Sequence, residues 1–229
     1  MKRNFLFDLY GTLADIRTDE ESDEFWAAVA PIFGSRDGET LKNAYRTLCT
    51  AASKSPEEEI ELTNVFRRLL SDGNATLSPE VAARAFREAS TRKLRLFDGA
   101  AEILEGLHSR GAKVYLLSNA QACFTRRELE TLGLSEKFDG IVLSSEVGWK
   151  KPSERFFRAA FELFHLLPQD CIYIGNDFRD DVEGARNAGM RSVYIQTEQS
   201  GKYEKTIPVD MFATDHRALK ELLFRLAEQ

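Results

Sequence analysis

Short apolar runs alternate along the chain with segments in which apolar residues recur every three to four positions. Such runs are typical of parallel strands buried on both faces, and the recurring spacing is typical of helices that cover a sheet. Strands are predicted at Asn4–Phe7, Lys113–Leu117, Gly140–Leu143, Cys171–Ile174 and Arg191–Ile195, with a weaker one at Met211–Ala213. This alternation predicts an α/β fold, a doubly wound parallel sheet with helices on both faces.

A helical module is predicted between the first two strands, where about a hundred residues replace a single crossover helix. An apolar helical face precedes the stop signal Gly34. Ser55-Pro56-Glu57-Glu58 forms a capping-box pattern that predicts a helix ending before Gly73. Ser78-Pro79 predicts the start of another helix, which runs to about Arg92.

We expect two parts, an α/β core of residues 1–15 and 94–229 and the all-helical module of residues 16–93. The composition supports a folded chain, because 43% of the 229 residues are hydrophobic and 30% are charged. The net charge of −6 provides no overall positive field for a nucleic-acid backbone, although a local basic patch could hold a small anion. We therefore expect a small anionic substrate and no nucleic-acid partner, and the sequence indicates no particular oligomeric state.

The cellular setting is predicted from the cysteines and the apolar runs. Cys49, Cys123 and Cys171 lie far apart without a CxxC pattern, which is typical of buried, reduced thiols. No apolar run approaches the roughly 20 residues of a membrane span. Asp8 interrupts the first apolar stretch, so a secretory signal is not expected. These features predict a cytoplasmic protein with no membrane partner.

Candidate chemistry begins where the first strand ends, at Asp8-Leu9-Tyr10-Gly11-Thr12. Open parallel sheets bind ligands outside the carboxyl ends of their strands, which places Asp8 at the expected catalytic edge. Gly11 allows a sharp turn there, and the Thr12 hydroxyl can bind an anion. An aspartate at this point also commonly caps a turn, and these residues alone do not separate the two roles.

Three later strand ends carry polar groups of the same kind. The second strand ends in Ser118-Asn119 at a predicted helix start, which suits an anion site or a plain helix cap. After the third strand, Lys151 precedes Pro152 and can supply a fixed positive charge, although a Lys-Lys pair is ordinarily a solvated surface feature. The fourth strand leads into the acid-rich segment 175–181, whose carboxylates repel one another unless a cation or a proton separates them. With Asp8, these oxygens would suit Mg²⁺.

The four motifs, in this order, resemble those of the haloacid dehalogenase (HAD) superfamily of hydrolases, and the resemblance covers essentially the whole chain. It implies a Rossmann-like core, and it identifies the helical module as a C1-type cap that closes over the core and selects the substrate. It also implies that Asp8 attacks the substrate and forms a covalent aspartyl intermediate, which water then hydrolyses.

The resemblance assigns further roles to the motif residues. Thr12 and Ser118 resemble the hydroxyl groups that hold the transferring group, beside Asn119. Lys151 matches the lysine that neutralises charge on the nucleophile and the substrate. In phosphatase members, Mg²⁺ is held by the nucleophile, by the main-chain carbonyl two residues later and by an acid of the fourth motif. The corresponding positions here are Asp8, Tyr10, Asn176, Asp177 and Asp181.

Tyr10 departs from the phosphatase pattern, in which a second aspartate protonates the leaving alcohol and later activates water. A tyrosine with its ordinary pKa of about 10 is a poor base at neutral pH. The metal-free 2-haloacid dehalogenases carry Asp-x-Tyr-Gly-Thr, as here, because a halide leaves without a proton. A dehalogenase would need an arginine of the cap to receive the halide, and the candidates are Arg46, Arg67 and Arg68.

The fourth motif favours the opposite assignment, because Asp177, Asp180 and Asp181 resemble the Mg²⁺-binding loops of phosphatase members. Asn176 stands where an aspartate is usual, so its part as a ligand stays open. We therefore carry three hypotheses. The narrowly favoured one is an Mg²⁺-dependent phosphohydrolase acting on a small phosphorylated metabolite. The alternatives are a metal-free 2-haloacid dehalogenase and a weakly catalytic or non-catalytic protein that binds a phosphorylated ligand.

Overall fold

The computed structural model describes residues 3–201 and 209–229, and eight strands form two sheets within these ranges. The strands are β1 (Asn4–Phe7), β2 (Ala14–Thr18), β3 (Thr91–Leu96), β4 (Lys113–Ser118), β5 (Gly140–Leu143), β6 (Cys171–Gly175), β7 (Arg191–Ile195) and β8 (Met211–Ala213). The main sheet has the order β5-β4-β1-β6-β7-β8, and every pair in it is parallel. The predicted α/β fold class and all six predicted strands are therefore confirmed.

Helices cover the main sheet and fill the stretch between β2 and β3. They are α1 (Asp23–Val29), α2 (Gly38–Ala52), α3 (Leu62–Asp72), α4 (Pro79–Ser90), α5 (Ala100–Ser109), α6 (Ala122–Thr131), α7 (Ser144–Val147), α8 (Glu154–Phe164), α9 (Gly184–Asn187) and α10 (His216–Ala227). Short 3₁₀ turns lie at Ala30–Phe33, Ser135–Lys137 and Pro168–Asp170, and a π-helical turn lies at Phe178–Glu183. None of the helices in the described ranges is long and apolar enough to span a membrane.

The central strand β1 is buried on both faces. Phe5 and Phe7 pack into one hydrophobic core, Leu6 packs into the core on the other face, and all three side chains are fully buried. A strand in this environment is apolar at every position, which explains why the sequence shows a continuous run rather than an alternation. This burial fixes the end of β1, and with it the position of Asp8.

The antiparallel ribbon β2–β3 is a feature that the sequence analysis missed. Ala14 pairs with Leu96 and Ile16 with Leu94, and the ribbon joins the helical module to the core. The expectation that the helix after Ser78 runs to about Arg92 was wrong, because α4 ends at Ser90 and the next residues enter β3. The expected boundaries of the module, before residue 16 and after residue 93, fall within this ribbon.

The helix predicted to open at Ser55-Pro56-Glu57-Glu58 ends before Gly73 as expected, but its predicted start was wrong, because α3 begins only at Leu62. The Ser55 hydroxyl accepts a hydrogen bond from the Glu58 amide at 3.3 Å, so one turn of the capping box does form. The chain then pairs with the α/β core: the Lys150 amide donates to the Glu57 carbonyl, and the Glu59 amide donates to the Gly148 carbonyl, both at 3.0 Å. These bonds to the core take the place of helical ones.

The helical module, α1 to α4, has its own aromatic core. Phe86 lies at its centre, with ring centroids of Phe25 and Phe66 at 4.9 and 5.2 Å. Phe124 of α6 stacks on Phe86 at 6.2 Å, so a residue of the α/β core completes the packing of the module. The same core contains or contacts the aromatic residues Trp26, Phe33, Tyr45 and Phe66.

Candidate active site

Asp8 follows β1 directly, and a tight turn at Gly11 carries the chain away from the sheet. The Asp8 amide donates to the Ile174 carbonyl of β6 at 2.9 Å, which extends the parallel pairing to Asp8. Gly11 has a φ of +83°, and a Cβ atom at this position would lie 2.5 Å from the Asn176 amide nitrogen. Glycine is therefore required at residue 11 for both its backbone conformation and the close approach of Asn176.

The two carboxylate oxygens of Asp8 are held unequally. Oδ1 accepts hydrogen bonds from Ser118 Oγ at 3.0 Å and from Lys151 Nζ at 2.8 Å. Among the described residues, Oδ2 has only a longer contact of 3.4 Å from Thr12 Oγ1, and that hydroxyl has a closer acceptor in Asn176 Oδ1 at 3.1 Å. Because it is less engaged, Oδ2 is the better placed of the two oxygens to attack a substrate.

Lys151 is buried, with 4% of its surface exposed, and its ammonium group has three partners. In addition to Asp8, Nζ donates to Asp181 Oδ1 at 2.7 Å and to the Tyr173 hydroxyl at 2.9 Å. Tyr173 in turn donates to the Leu117 carbonyl at 2.7 Å. Burial lowers the pKa of Lys151, but Asp181 and Asp8 outweigh that effect and raise it well above its ordinary value. The lysine is therefore a fixed positive charge beside Asp8.

Asp181 holds the lysine from the opposite side. Its Oδ2 accepts a hydrogen bond from the Asp177 amide at 2.9 Å, so both of its oxygens are engaged. Gly175 makes this approach possible, because a Cβ atom there would overlap the Asp181 carboxyl group. Burial raises the pKa of Asp181 to about 7, and Asp8 adds to the rise, whereas Lys151 and the Asp177 amide oppose it. Two buried carboxylates thus share a single cation.

Asn119 fixes the main chain at the lysine and also reaches the fourth motif. Its Oδ1 accepts from the Lys151 amide at 2.7 Å, and its Nδ2 donates to Asp180 Oδ2 at 3.1 Å. Burial and the neighbouring Asp177 raise the pKa of Asp180. Asp177 is exposed, and its Oδ1 caps the following π-helical turn by accepting from the amides of Arg179 and Asp180.

These side chains surround an open cavity of about 210 Å³ at the carboxyl edge of the sheet. The lining residues are Asp8, Tyr10, Ser118, Asn119, Lys151, Asn176, Asp177, Asp180 and Asp181. Four aspartates thus face one lysine, so the cavity has an excess of negative charge. The ionised carboxylates would repel an anionic substrate, and an additional cation would reduce this repulsion.

The donor set fits a hard divalent cation such as Mg²⁺, because carboxylate, amide and carbonyl oxygens are its preferred ligands. No ready-made cluster of three or more His, Cys, Asp or Glu side chains occurs in the part of the chain that the structure describes. Mg²⁺ keeps several waters and is usually bound through one or two carboxylates, so it does not require such a cluster. Asp8, the Tyr10 carbonyl and the Asn176 amide are the groups at this edge that could hold it.

The Tyr10 side chain is directed towards α6 rather than towards Asp8. Its hydroxyl lies 2.8 Å from Thr125 Oγ1 and donates a short hydrogen bond to Glu128 Oε2. Burial and the Glu128 carboxylate raise the pKa of Tyr10 far above its ordinary value. The phenol therefore stays protonated and cannot serve as a general base at neutral pH.

The structure brings together all but one of the site residues predicted from the sequence. Thr12 is the exception, because it is fully buried beneath the cavity and supports Asn176 and Asp8 from behind. Ser118 is the last residue of β4, and α6 begins only at Ala122, so the expected helix start at Ser118 was wrong.

The arginines proposed for a halide site do not reach the cavity. Arg46 pairs with Glu21 at 2.8 Å, Arg67 contacts Asn64, and Arg68 pairs with Asp72 at 3.0 Å. Trp149 also lies outside the cavity lining, where the Arg155 guanidinium stacks over its ring at 4.1 Å.

Several residues of the site were not found from the sequence. Tyr173 lies within an apolar strand. Because a buried tyrosine hydroxyl usually needs a hydrogen-bond partner, its position in the sequence was a weak indication of a buried polar contact. Glu128, which accepts from the Tyr10 hydroxyl, and Arg87, which pairs with Glu128, were missed as well. Both lie within charged helical segments that are typical of solvated faces. No local pattern marks them as buried.

Comparison with known proteins supports the family resemblance that the sequence motifs indicate. The haloacid dehalogenase-like hydrolase family model matches residues 2–189. A glyceraldehyde 3-phosphate phosphatase of Methanothermobacter thermautotrophicus is 28% identical over 159 residues, which cover 69% of this chain and 70% of the relative. A phosphoserine phosphatase of Thermus thermophilus is 35% identical over 133 residues, so 57% of this chain matches about half of the relative, 53%.

A solved structure extends the comparison to the fold. The 2-haloacid dehalogenase of Pseudomonas syringae pv. Tomato superimposes with a TM-score of 0.69 at 20% identity, covering 99% of this chain and 100% of that one. At this identity the similarity concerns the fold alone. The family match covers most of the chain and agrees with the observed α/β architecture, and the chain therefore belongs to the haloacid dehalogenase-like hydrolases.

Proposed function

We propose that this hydrolase is an Mg²⁺-dependent phosphohydrolase that acts on a small phosphorylated metabolite, with Asp8 as its nucleophile. One observation carries the proposal: the cavity at Asp8 is lined by four aspartates and only one lysine. That lysine is already bonded to Asp8 and Asp181. A phosphate ester carries negative charge of its own, so it would be repelled from this edge unless a divalent cation accompanied it.

In the proposed reaction, Asp8 Oδ2 attacks the phosphorus atom, and the bond from phosphorus to the leaving alcohol oxygen breaks. Water then attacks the phosphorus of the aspartyl phosphate, which releases orthophosphate and restores the carboxylate. Lys151 neutralises charge on Asp8 Oδ1 through its 2.8 Å contact, and Ser118 fixes the same oxygen. Ser118, Asn119 and Lys151 are the lining groups that would bind the phosphoryl oxygens.

The residues that would hold Mg²⁺ are Asp8, the Tyr10 carbonyl and Asn176, with Asp177 and Asp181 contributing directly or through water. When bound, the cation would offset the charge of the aspartates and polarise the phosphoryl oxygens. Asp181 would act more readily through water, because Lys151 and the Asp177 amide already engage its two oxygens.

Tyr10 limits which esters can be hydrolysed quickly. Its hydroxyl donates to Glu128 and stays protonated, so no side chain at residue 10 accepts or supplies a proton at the leaving oxygen. We therefore expect aryl phosphates, whose leaving groups need little protonation, to react much faster than alkyl phosphates.

The relatives support phosphoryl chemistry on small metabolites, since two of them are a glyceraldehyde 3-phosphate phosphatase and a phosphoserine phosphatase. The helical module would act as the cap that closes over the cavity and selects the substrate. The three free cysteines favour a cytoplasmic setting.

A second candidate function, a metal-free 2-haloacid dehalogenase, is favoured by Tyr10 itself, which stands where phosphatases carry an aspartate. The charge of the cavity opposes it, because a haloacid brings a carboxylate into a site that already has an excess of aspartates. No arginine lines the cavity among the described residues.

The experiment that separates the candidates measures hydrolysis of an aryl phosphate and of 2-chloropropionate, each with Mg²⁺ and with excess chelator. Asp8→Asn serves as the blank. Mg²⁺-dependent phosphate release is the expected result, and chelator-resistant chloride release would establish the dehalogenase instead. If neither product forms, a rise of the thermal midpoint with Mg²⁺ plus orthophosphate would favour a ligand-binding protein of low activity.

A further inference from the structure

A second buried ionic group lies beside the catalytic cavity, and the proposed chemistry does not use it. We call it the Arg87 cluster, which comprises Tyr10, Glu20, Arg87, Thr125 and Glu128. Arg87 belongs to α4 of the helical module, whereas Glu128 belongs to α6 of the α/β core. The cluster therefore connects the module to the core next to the nucleophile.

Glu128 is the centre of this cluster, and both of its oxygens are occupied. Oε1 accepts from Arg87 Nε at 2.6 Å, and Oε2 accepts from the Tyr10 hydroxyl. Glu128 is only 5% exposed, and the Arg87 side chain is 16% exposed. A carboxylate this buried stays in place only while it is paired, so Arg87 is required to keep Glu128 pointing at Tyr10.

Tyr10 connects this cluster to catalysis, because the same residue lines the cavity at Asp8. Its hydroxyl is held towards α6 by Thr125 and Glu128, away from Asp8. The Arg87 guanidinium also lies over the Tyr10 ring, 6.0 Å from its centroid, so Arg87 acts on the ring directly as well as through Glu128. Without the acceptor at Glu128, Thr125 would hold the Tyr10 hydroxyl through a single hydrogen bond, and rotation about the Cα–Cβ bond would let the ring turn towards the cavity.

We propose that Arg87 is a positioning residue for the reaction: through Glu128 it holds the Tyr10 side chain against α6 and keeps the space above Asp8 open to substrate. This inference rests on the proposed phosphohydrolase function for its kinetic readout. Arg87, an arginine of the module, would thereby determine the fraction of molecules whose cavity is open to substrate.

Replacement of Arg87 should therefore act on substrate binding rather than on the chemical step. In Arg87→Ala, the Tyr10 ring is expected to occupy the cavity in most molecules. The apparent KM for an aryl phosphate is then multiplied by the inverse of the open fraction, which is the fraction of molecules whose cavity is free of the ring. An open fraction of about one tenth gives a rise of about tenfold, with kcat within about twofold of the wild type. Arg87→Lys keeps the charge and should show a smaller rise.

A double substitution separates positioning from a merely structural effect. Tyr10→Ala removes the ring that would block the cavity, so adding Arg87→Ala to it should change KM by less than about twofold. If Arg87 only stabilised the module, KM would rise equally in both backgrounds. Such additivity of the two substitutions would overturn the inference.

Arg84 supplies a matched control. Arg84 and Arg87 both lie on α4 and both line a second cavity, of about 350 Å³, between α4 and α6. Only Arg87 of these two arginines forms a hydrogen bond and an ion pair with Glu128. Arg84→Ala should leave both KM and kcat unchanged. A rise in KM equal to that of Arg87→Ala would show that the effect comes from the surface of α4 and would contradict the proposal.

A measurement without turnover keeps the inference separate from the proposed function. The protein has six tyrosines, and in fluorotyrosine-labelled protein the Tyr10 resonance is identified by its loss in Tyr10→Phe. Its ¹⁹F signal should shift in Arg87→Ala and Arg87→Lys, and stay in place in Arg84→Ala. A shift without phosphatase activity would refute the proposed function alone, whereas an unchanged signal in folded Arg87→Ala would refute the positioning role.

Discussion

Two buried ionic groups flank Tyr10, and they differ in how completely their oxygens are satisfied. The Lys151 cluster consists of Asp8, Lys151, Tyr173 and Asp181, and it opens onto the catalytic cavity. In the Arg87 cluster, by contrast, each oxygen of Glu128 has one short hydrogen bond from a side-chain donor. A carboxylate of the first group therefore remains available, whereas the central carboxylate of the second does not.

The available oxygen is Asp8 Oδ2, whose one hydrogen bond within the part of the chain that the structure describes is the 3.4 Å contact from Thr12. Incomplete satisfaction of a buried carboxylate is costly for folding, and it persists here at the carboxyl edge of the sheet where substrates bind. Complete satisfaction instead produces a rigid connection between two parts of the structure. The contrast teaches that burial of charge alone does not distinguish the proposed nucleophile from Glu128, whereas the lack of a close donor to one oxygen does.

The largest expected effect follows from removing the negative charge of the Asp8 carboxylate. Asp8→Asn should lower turnover of an aryl phosphate by on the order of 10⁴-fold or more, because an amide cannot act as the nucleophile. Stability should be unchanged or slightly higher, since Lys151 keeps Asp181 as its partner at 2.7 Å. Steady-state kinetics and urea unfolding of the same preparation check both parts. Turnover near the wild-type level would remove the aspartyl mechanism.

Removal of the shared cation should instead reduce stability. Lys151→Met leaves Asp8 and Asp181 buried without a positive partner, and breaking a buried pair in this way costs about 3–5 kcal/mol. Urea unfolding gives the free energy, and Lys150→Met is the control because it alters the adjacent lysine. A loss below about 1 kcal/mol would show that the aspartates do not depend on this lysine in the folded state.

The Arg87 cluster should respond with a loss of stability and a retained chemical step. Glu128→Gln removes the charge that Arg87 Nε contacts at 2.6 Å, and hydrogen bonds to charged groups contribute about 1.5–3 kcal/mol. We expect a loss of stability in that range with kcat within about tenfold of the wild type. A kcat as low as that of Asp8→Asn would place Glu128 in the chemistry and erase the distinction between the clusters.

The same contrast explains what could be predicted from the sequence. Ser118 ends a buried strand, and Asp8, Lys151 and Asp181 follow the ends of others. The rule that ligands gather at the carboxyl edge predicts that these residues meet. Glu128 and Arg87 lie 41 residues apart in charged helices, where nothing local distinguishes a buried residue from a solvated one. Their pairing depends on how the module packs against α6, which only the tertiary structure determines.

The fold shows the same division. Strands buried on both faces, such as β1, leave a continuous apolar run and were predicted with correct ends. The ribbon β2–β3 is half exposed and rich in charged residues, so its sequence resembles a helix end and a loop. The helix start predicted at Ser55 forms one turn, but the helix does not continue from it. The following residues pair with Gly148 and Lys150 instead, which is a contact between distant segments.

The smallest expected effect concerns Arg46, which sequence reasoning offered as a halide-binding arginine. Its guanidinium pairs with Glu21 at 2.8 Å, and both side chains are more than half exposed. Exposed pairs of this kind contribute at most about 1 kcal/mol. Arg46→Ala should therefore leave KM and kcat unchanged and lower stability only slightly, as steady-state kinetics and urea unfolding can measure. A large loss of turnover would bring this arginine to the cavity in a closed state of the module and would revive the dehalogenase, because that reaction needs a cation for its halide.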